Sequence, residues 1–409
     1  MTQTSAPCDE ALPRVTAAAP QRPSRPLRIL MVLQSAYPSP RGGAERQVRT
    51  LARSFKAQGH RVTVVTPMVG YGPQQAVGRL DGVPVARLRY PRIRVLGGLM
   101  LCLLHARFLL ARRHRYDIWH VHIADQIGAV TALVGRLCSR PVMAKLAGPW
   151  DLERGAMAPT RSPQYWLTYP LLRLMHTWQA TSQRIATALL SRGIDRERIV
   201  VIPNAVDTSR FRGIPPRENG PPRFIFVGRL MPQKALDVLL QAFARVLPQQ
   251  PHATLTLVGD GPLAAELAQL ANDLGVAGSV RFTGHRTDVE TLLAQANIGV
   301  LCSHTEGLSN TLLESMASGL PMVASRVSGS EDFILDGENG WLCEAGDAEA
   351  LARCMLAAAA LPAAQRTALG ESARTTVENL AGLDAVTRRL LDLYFDAVPA
   401  PAQCVQAGD

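Results

Sequence analysis

Glu306 and Glu314 stand eight positions apart in the segment C-S-H-T-E-G-L-S-N-T-L-L-E-S-M-A-S, residues 302–318. Glu306 follows the apolar run Ile298–Leu301 and belongs to a loop. Ser309 or Asn310 then offers an N-cap, Thr311–Ala317 are mostly helix formers, and Gly319-Leu320-Pro321 stops the helix. Glu314 therefore falls about one turn into a helix whose first backbone N–H groups point outward between the two acids. Such a helix start attracts an anion, and the flanking carboxylates accept hydrogen bonds from hydroxyls. A sugar nucleotide presents hydroxyls, a diphosphate and hydroxyls again.

Two cations complement that pair. Lys56, Lys145 and Lys234 are the lysines of the chain, and Lys234 stands alone in the second half, shortly after Arg229 in F-I-F-V-G-R-L-M-P-Q-K-A-L-D. Phe224–Val227 reads as a buried strand and Ala235–Phe243 as the next helix, so Arg229 and Lys234 occupy a loop at a strand's carboxyl end. Open α/β sheets bind ligands there. Arginine can grip a diphosphate as a fork, and lysine as a point charge.

The elements that must position these residues alternate between apolar runs and helical patterns, which predicts parallel sheets covered by helices on both faces. In the first half strands are expected at Arg28–Leu33, Val62–Thr66, Ile118–His122, Val142–Leu146, Thr177–Ala180 and Ile199–Ile202, with a first helix over Glu45–Gln58. In the second half they are expected at Phe224–Val227, Thr254–Val258, Val280–Thr283, Ile298–Leu301, Met322–Ala324 and Gly340–Leu342, with a helix over Asp347–Ala359. The Pro/Gly-rich stretch 208–222 lacks apolar periodicity and reads as a linker. This divides the chain into a tail (1–26), a first domain (27–207), the linker, a second domain (223–375), terminal helices (376–396) and a second tail (397–409). The first tail is expected to be unstructured.

Taken together these segments resemble the retaining nucleotide-sugar glycosyltransferases of GT-B fold, in their large fourth family. Arg229, Lys234 and the Glu306/Glu314 pair match its most specific pattern. Gly42-Gly43-Ala44-Glu45-Arg46 is similar to its first glycine loop, Pro203-Asn204-Ala205-Val206-Asp207 to its interdomain motif, and Val258-Gly259-Asp260-Gly261-Pro262 and Phe282-Thr283-Gly284 to two further strand ends. The likeness runs in order from about Arg28 to Leu393. It implies two Rossmann-like domains facing a cleft, with a C-terminal helix crossing back to the first. It also implies transfer from a nucleoside-diphosphate sugar with retention. In such a transfer the leaving phosphate oxygen takes the acceptor's proton, and the protein contributes charge stabilisation and positioning.

Carried over residue by residue, the resemblance assigns Arg229, Lys234 and Glu306 to catalysis. Donor binding falls to Gly42, Gly43, Arg229, Lys234, Arg286, Glu306, Gly307, Leu308, Ser309, Asn310, Thr311 and Glu314, with Glu306 on a sugar hydroxyl and Glu314 on the ribose. His120, His122 and Lys145 are assigned to the acceptor and sugar region. No cofactor beyond the donor substrate is implied. The acceptor would be a glycan or a polyprenyl-diphosphate-linked glycan of cell-surface or exopolysaccharide synthesis; a catalytically inactive partner subunit is the alternative. In many members a His precedes Gly after the fourth strand, at the sugar's 6-position. Here Ala147 takes its place. A sugar without a 6-hydroxyl, a uronic acid met by Lys145, and contact from another residue all remain open. Ala235 likewise replaces the usual Gly after the Lys.

Other classes fit less well. Neither Gln34–Gly43 nor Gly228–Lys234 contains the G-x-G-x-x-G of a dinucleotide enzyme. A GT-B phosphorylase needs a pyridoxal lysine, and Lys234 is already committed to the donor phosphates. His120 and His122 at i, i+2 could begin a metal site, but no third or fourth ligand matches them and no Asp-x-Asp motif sits where a donor would, so no metal is predicted. Seven scattered cysteines without C-x-x-C suggest a reducing cytosol.

Charge is unevenly divided, with +18 over residues 1–207 and −7 over 208–409. The basic half has no zinc, helix-turn-helix or RNP-like signature, which argues against nucleic acid; the resemblance implies instead an anionic membrane surface or a phosphate-bearing lipid acceptor, for which such charge is sufficient. The apolar run Val95–Ala111, interrupted by His105 and Arg107 and followed by Arg112-Arg113-His114-Arg115, is too short and charged to span a bilayer. It is expected to pack on the first sheet, with His105, Arg112 and Arg115 near one face; an interfacial membrane helix is the alternative. The location implied is cytoplasmic, peripheral on the inner face of the plasma membrane.

Overall fold

The computed structural model describes residues 25–35, 37–38, 42–69, 75–93, 96–148, 157, 163–211 and 220–399. The tails to residue 24 and from residue 400, most of the expected linker (212–219), part of the first glycine loop and the stretch Pro149–Asp151 lie outside the described residues.

The first sheet contains β1 (Arg28–Val32), β2 (Arg61–Pro67), β3 (Val77–Leu80), β4 (Val83–Leu88), β5 (Ile118–Val121), β6 (Val142–Leu146), β7 (Thr177–Ala180) and β8 (Ile199–Val201). Their order is β3-β4-β2-β1-β5-β6-β7-β8, parallel except for the β3/β4 hairpin. Helices α1 (Gly43–Ala57), α2 (Leu96–Arg112), α3 (Gln126–Leu137), α4 (Pro163–Leu172) and α5 (Gln183–Ser191) accompany them.

The second sheet contains β9 (Arg223–Val227), β10 (Thr254–Val258), β11 (Val280–Phe282), β12 (Ile298–Leu301), β13 (Met322–Ser325) and β14 (Gly340–Cys343), in the order β11-β10-β9-β12-β13-β14. Its helices are α6 (Leu236–Val246), α7 (Ala264–Asp273), α8 (Val289–Gln295), α9 (Asn310–Ala317), α10 (Ser330–Phe333), α11 (Ala348–Ala360), α12 (Ala363–Ala381) and α13 (Leu383–Ala397). Strands β5, β12 and β13 are buried along their whole length, as expected of parallel strands covered on both faces.

Both sheets reverse direction next to their first strand. In the second, chain order runs outward from β9 to β10 on one side and resumes at β12 on the other. A crevice opens at such a switch point between the carboxyl ends of the two strands. The loops that follow β9 and β12 carry Arg229, Lys234 and Glu306, so topology alone brings these distant residues together.

The terminal helices divide between the sheets. Ala373, Val377 and Ala381 of α12 pack in the second core, whereas Val386, Leu390, Leu391 and Tyr394 of α13 complete the first. The crossing occurs at Gly382, where Val206 N–H donates to the Ala381 carbonyl (2.9 Å) and Leu383 N–H to that of Val206 (2.9 Å).

Two expectations need correction. The β3/β4 hairpin turns on Asp81-Gly82, both at positive φ (50° and 74°), and is absent from the strands expected. His105 does not join a charged face of α2: it is buried, its Nε2 lies 2.9 Å from Thr131 Oγ1, and burial pulls its imidazole down to about 3. The outward face of α2 instead carries Leu96, Leu99, Leu103 and Leu110 with Arg107.

Candidate active site

Lys234 ends a short 3-10 turn and is fixed from several sides. Its carbonyl accepts from Cys302 Sγ (3.0 Å), and the neighbouring Gln233 carbonyl accepts from His304 N–H (2.9 Å), joining the β9 loop to the β12 loop. Leu230 N–H donates to the Asp260 carbonyl (3.0 Å). That approach depends on Gly259, at φ +142°, where a Cβ would lie 1.8 Å from the Gly228 carbonyl oxygen. Ala235, which starts α6, adopts a left-handed conformation (φ 50°, ψ 45°). Glycine adopts it freely, and alanine at a cost of about 1–2 kcal/mol.

Glu306 reaches back to this loop. Its carboxylate forms an ion pair with Lys234 Nζ and accepts from Ser303 Oγ (2.8 Å), while the Ser303 carbonyl accepts from Ser325 Oγ (2.7 Å). Arg229 is exposed on the same loop. Ser309 caps α9: its Oγ accepts from Leu312 N–H (3.4 Å) and lies 3.0 Å from Thr311 Oγ1, and its carbonyl accepts from Leu313 N–H (3.4 Å). The N-terminal end of α9 thus lies between Glu306 and Glu314.

The other wall of the cleft comes from the first domain. Arg46 of α1 forms an ion pair with Glu314, whose carboxyl is raised by burial and partly brought back by Arg46 and Arg210. Gln47 bridges the two domains: its Nε2 donates to the Ala205 carbonyl (2.8 Å) and to Asn310 Oδ1 (3.0 Å), and its Oε1 accepts from Ala205 N–H (2.8 Å). Asn204 Nδ2 donates to the Leu308 carbonyl (3.0 Å), and Ser182 Oγ lies 2.6 Å from Ser328 Oγ. Gly307 packs so tightly on the first domain that a Cβ there would lie 1.6 Å from the Ala147 carbonyl oxygen. Gly43 starts α1 facing Asn310, whose Nδ2 is 3.3 Å from the site of its missing Cβ. Gly42 is enclosed by the Glu45 carboxylate.

Residues 41–210 match the family described as Glycosyltransferase Family 4, and residues 221–360 match Glycosyl transferases group 1. The D-inositol 3-phosphate glycosyltransferase of Thermomonospora curvata is 31% identical over 328 residues, covering 69% of this chain and 72% of that protein. The chain belongs to glycosyltransferase family 4.

A lipopolysaccharide core biosynthesis glycosyltransferase, LpsE, of Rhizobium meliloti is 38% identical to this family member over 172 residues, which is 42% of the chain and 49% of LpsE. The chain spans only about half the length of such relatives. HepE of Anabaena in complex with UDP superposes with a TM-score of 0.73 at 22% identity, covering 90% of this chain and 99% of that one. The fold is therefore GT-B, with two Rossmann-like domains facing a cleft.

Of the expected residues, Arg286 stands apart from the site. Arg286 is exposed after the edge strand β11 and pairs with Asp288 of its own loop (2.6 Å). His120, His122 and Lys145 are buried at the carboxyl ends of the neighbouring strands β5 and β6. The two imidazoles stack with centroids 4.2 Å apart, and His120 Nδ1 lies 2.5 Å from Tyr394 Oη of the crossing helix. Desolvation holds both neutral, His120 at about 3 and His122 well below the usual imidazole range. Among the described residues no group of three or more His, Cys, Asp or Glu is placed to hold a metal.

Sequence reasoning missed the residues that bridge the cleft. Arg46 and Asn204 fell within quoted motifs but received no role, and nothing in the local sequence marks Gln47.

Proposed function

We propose that this chain is a retaining, metal-independent transferase that moves a sugar from a nucleoside-diphosphate sugar to a glycan or lipid-linked glycan acceptor. Cell-surface or exopolysaccharide biosynthesis is the setting that the relatives suggest. One observation carries the reading: Lys234, Glu306 and the start of α9 meet at the switch point of the second sheet and face the first domain across the cleft. In the donor complex Lys234 exchanges Glu306 for the diphosphate, with Arg229 beside it. Glu306 then accepts from a sugar hydroxyl, and Glu314 exchanges Arg46 for the ribose. Fixed cations and helix amides stabilise the charge that develops on the leaving phosphate, and no strong protein base is required.

Thermal-shift titration against UDP, GDP, ADP and their sugars tests the donor. A ligand at 100 times its dissociation constant adds about 2.7 kcal/mol of stability. One nucleotide series should stabilise the protein, and turnover should persist in EDTA. Indifference to all three series rules out the donor reading, and loss of turnover in EDTA rules out metal independence.

The acceptor is placed at an anionic membrane surface, with the protein peripheral on the cytoplasmic leaflet. Supporting this are the exposed leucines of α2, two of them (Leu99 and Leu103) more than half exposed, beside exposed Arg107, Arg113 and Arg115. Apolar contact and basic charge together favour such a surface. No helix among the described residues is long and apolar enough to cross a membrane. Sedimentation with anionic vesicles should fall steeply with salt and drop further in the Leu99→Ser/Leu103→Ser double variant. Binding indifferent to salt and lipid charge, or no binding, overturns this part alone.

A further inference from the structure

A cavity of about 150 Å³ lies in the cleft between the domains, lined among others by Gly43, His122, Lys145, Ala147, Leu308 and Asn310. Among the described residues its lining contains no Asp or Glu. Lys145 is only 2% exposed, and among the described residues it has neither an ion-pair partner nor a hydrogen bond. Both ring nitrogens of His122, one position beyond the Val121/Ala144 pairing of β5 with β6, are likewise buried without a partner. Buried polar groups are almost always met, so an unpartnered imidazole beside a buried lysine on one cavity points to something that enters it. The starts of α1 and α9 both contribute to the wall and add positive potential. Burial pulls the Lys145 ammonium down to about 7. A cavity with a buried lysine and no acid among its described lining residues suits an anion.

We propose that this cavity receives the carboxylate of the donor sugar, so that the substrate is a nucleoside-diphosphate uronate. The inference rests on the transferase reading above and narrows it. Two features favour a sugar carboxylate over a phosphate. The diphosphate cations Arg229 and Lys234 belong to the other domain, on the loop after β9. One ammonium beside a neutral imidazole balances a single negative charge, and a phosphate dianion would leave the second uncompensated. Ala147, one residue past β6, keeps the space open with its small side chain.

Equilibrium binding to the full chain tests this, using whichever of UDP, GDP or ADP binds, then its hexose and its uronate. Wild type should bind the uronate about tenfold or more tighter than the hexose, as expected for a desolvated charge-assisted contact. Lys145→Met should abolish that preference and leave affinity for the free nucleoside diphosphate unchanged. Ala147→Leu fills the same space, should weaken both sugar donors without affecting the nucleoside diphosphate, and serves if Lys145→Met does not fold. Wild type without a uronate preference, or Lys145→Met that keeps one, overturns the inference and spares the transferase reading. Weaker binding of the free nucleoside diphosphate by Lys145→Met places the lysine on the diphosphate and also overturns it. Failure of all three nucleotides to bind overturns both.

Discussion

A methyl group at position 307 should wedge the cleft open. In Gly307→Ala the new Cβ would lie 1.6 Å from the Ala147 carbonyl oxygen, 2.6 Å from its carbon and 2.7 Å from Gly148 Cα. All three are backbone atoms, so no rotamer change relieves the contact. Non-bonded heavy atoms rest about 3.5 Å apart, so the β12–α9 loop and the end of β6 must separate by about 2 Å. The bridges from Gln47 to Asn310 and from Asn204 to Leu308, both 3.0 Å, then pass out of hydrogen-bonding range. Those two bonds and the Arg46–Glu314 pair contribute about 3–4 kcal/mol towards closure, taking about 1 kcal/mol for a neutral bond and somewhat more for a charged one. At about 1.4 kcal/mol per factor of ten, closed molecules become about 10²–10³ times rarer. Small-angle scattering should show a larger radius of gyration, and turnover should fall by the same factor. Affinity for the nucleoside diphosphate should hold within about threefold, because the Lys234 loop is untouched. Gly278→Ala, where a Cβ meets nothing within 4 Å, is the control. Scattering and turnover equal to wild type in Gly307→Ala would refute the argument that the cleft must close.

The remaining site residues should separate by role. Lys234→Ala should weaken nucleoside diphosphate binding, whereas Arg229→Ala should lower kcat by about 10²-fold with little change in binding; wild-type turnover in both removes the diphosphate assignment. Glu314→Ala should chiefly raise the donor KM and Glu306→Ala chiefly lower kcat, and steady-state kinetics giving the same effect for both contradicts those roles. Between pH 6.5 and 3 the unfolded chain takes up a proton that buried His120 refuses, so its contribution to stability is full above 6.5 and is lost on acidification. At about 1.36 kcal/mol per unit this amounts to about 4–5 kcal/mol for His120, and His122 acts in the same direction. Urea titrations across that range should show the decline, and a flat profile would mean the imidazoles are not buried neutral. Lys145 is depressed from 10.5 to about 7, so stability should rise with pH across that window in wild type and stay level in Lys145→Met.

Most of the second sheet was legible in the sequence, because each strand is an apolar run bounded by turn residues. Ile298–Leu301 is buried throughout and ends at a polar loop, so its boundaries need no tertiary information. The β3/β4 hairpin escaped for the opposite reason. Its short strands V-G-R-L and V-P-V-A-R-L are interrupted by Gly78 and Pro84, and β3 is half exposed, which leaves only Asp81-Gly82 as a signal. Glu306, Glu314, Arg229 and Lys234 could be read from local spacing. Their partners across the cleft could not: Arg46 meets Glu314 from 268 residues away, and Gln47 meets Asn310 from 263. Lys145 lies between. A lone cation in V-M-A-K-L is visible in sequence, but its burial without a partner follows only from how β6 ends against the other domain.

The crossing of α13 also fixes an order of assembly. Phe55 and Tyr394 meet at a tilt with centroids 5.7 Å apart, and Tyr394 reaches His120 in the central strand β5, so the first domain's core contains side chains made near the end of translation. The second domain needs nothing later than Ala381 for its own core. During synthesis the first sheet must therefore wait, with the face that α13 will cover still open, while the second sheet emerges and closes. A chain stopped at Gly382 would carry a finished second domain tethered to an unfinished first one. The domain made first is thus the last to complete its core, against the usual N-terminal-first order of multidomain chains.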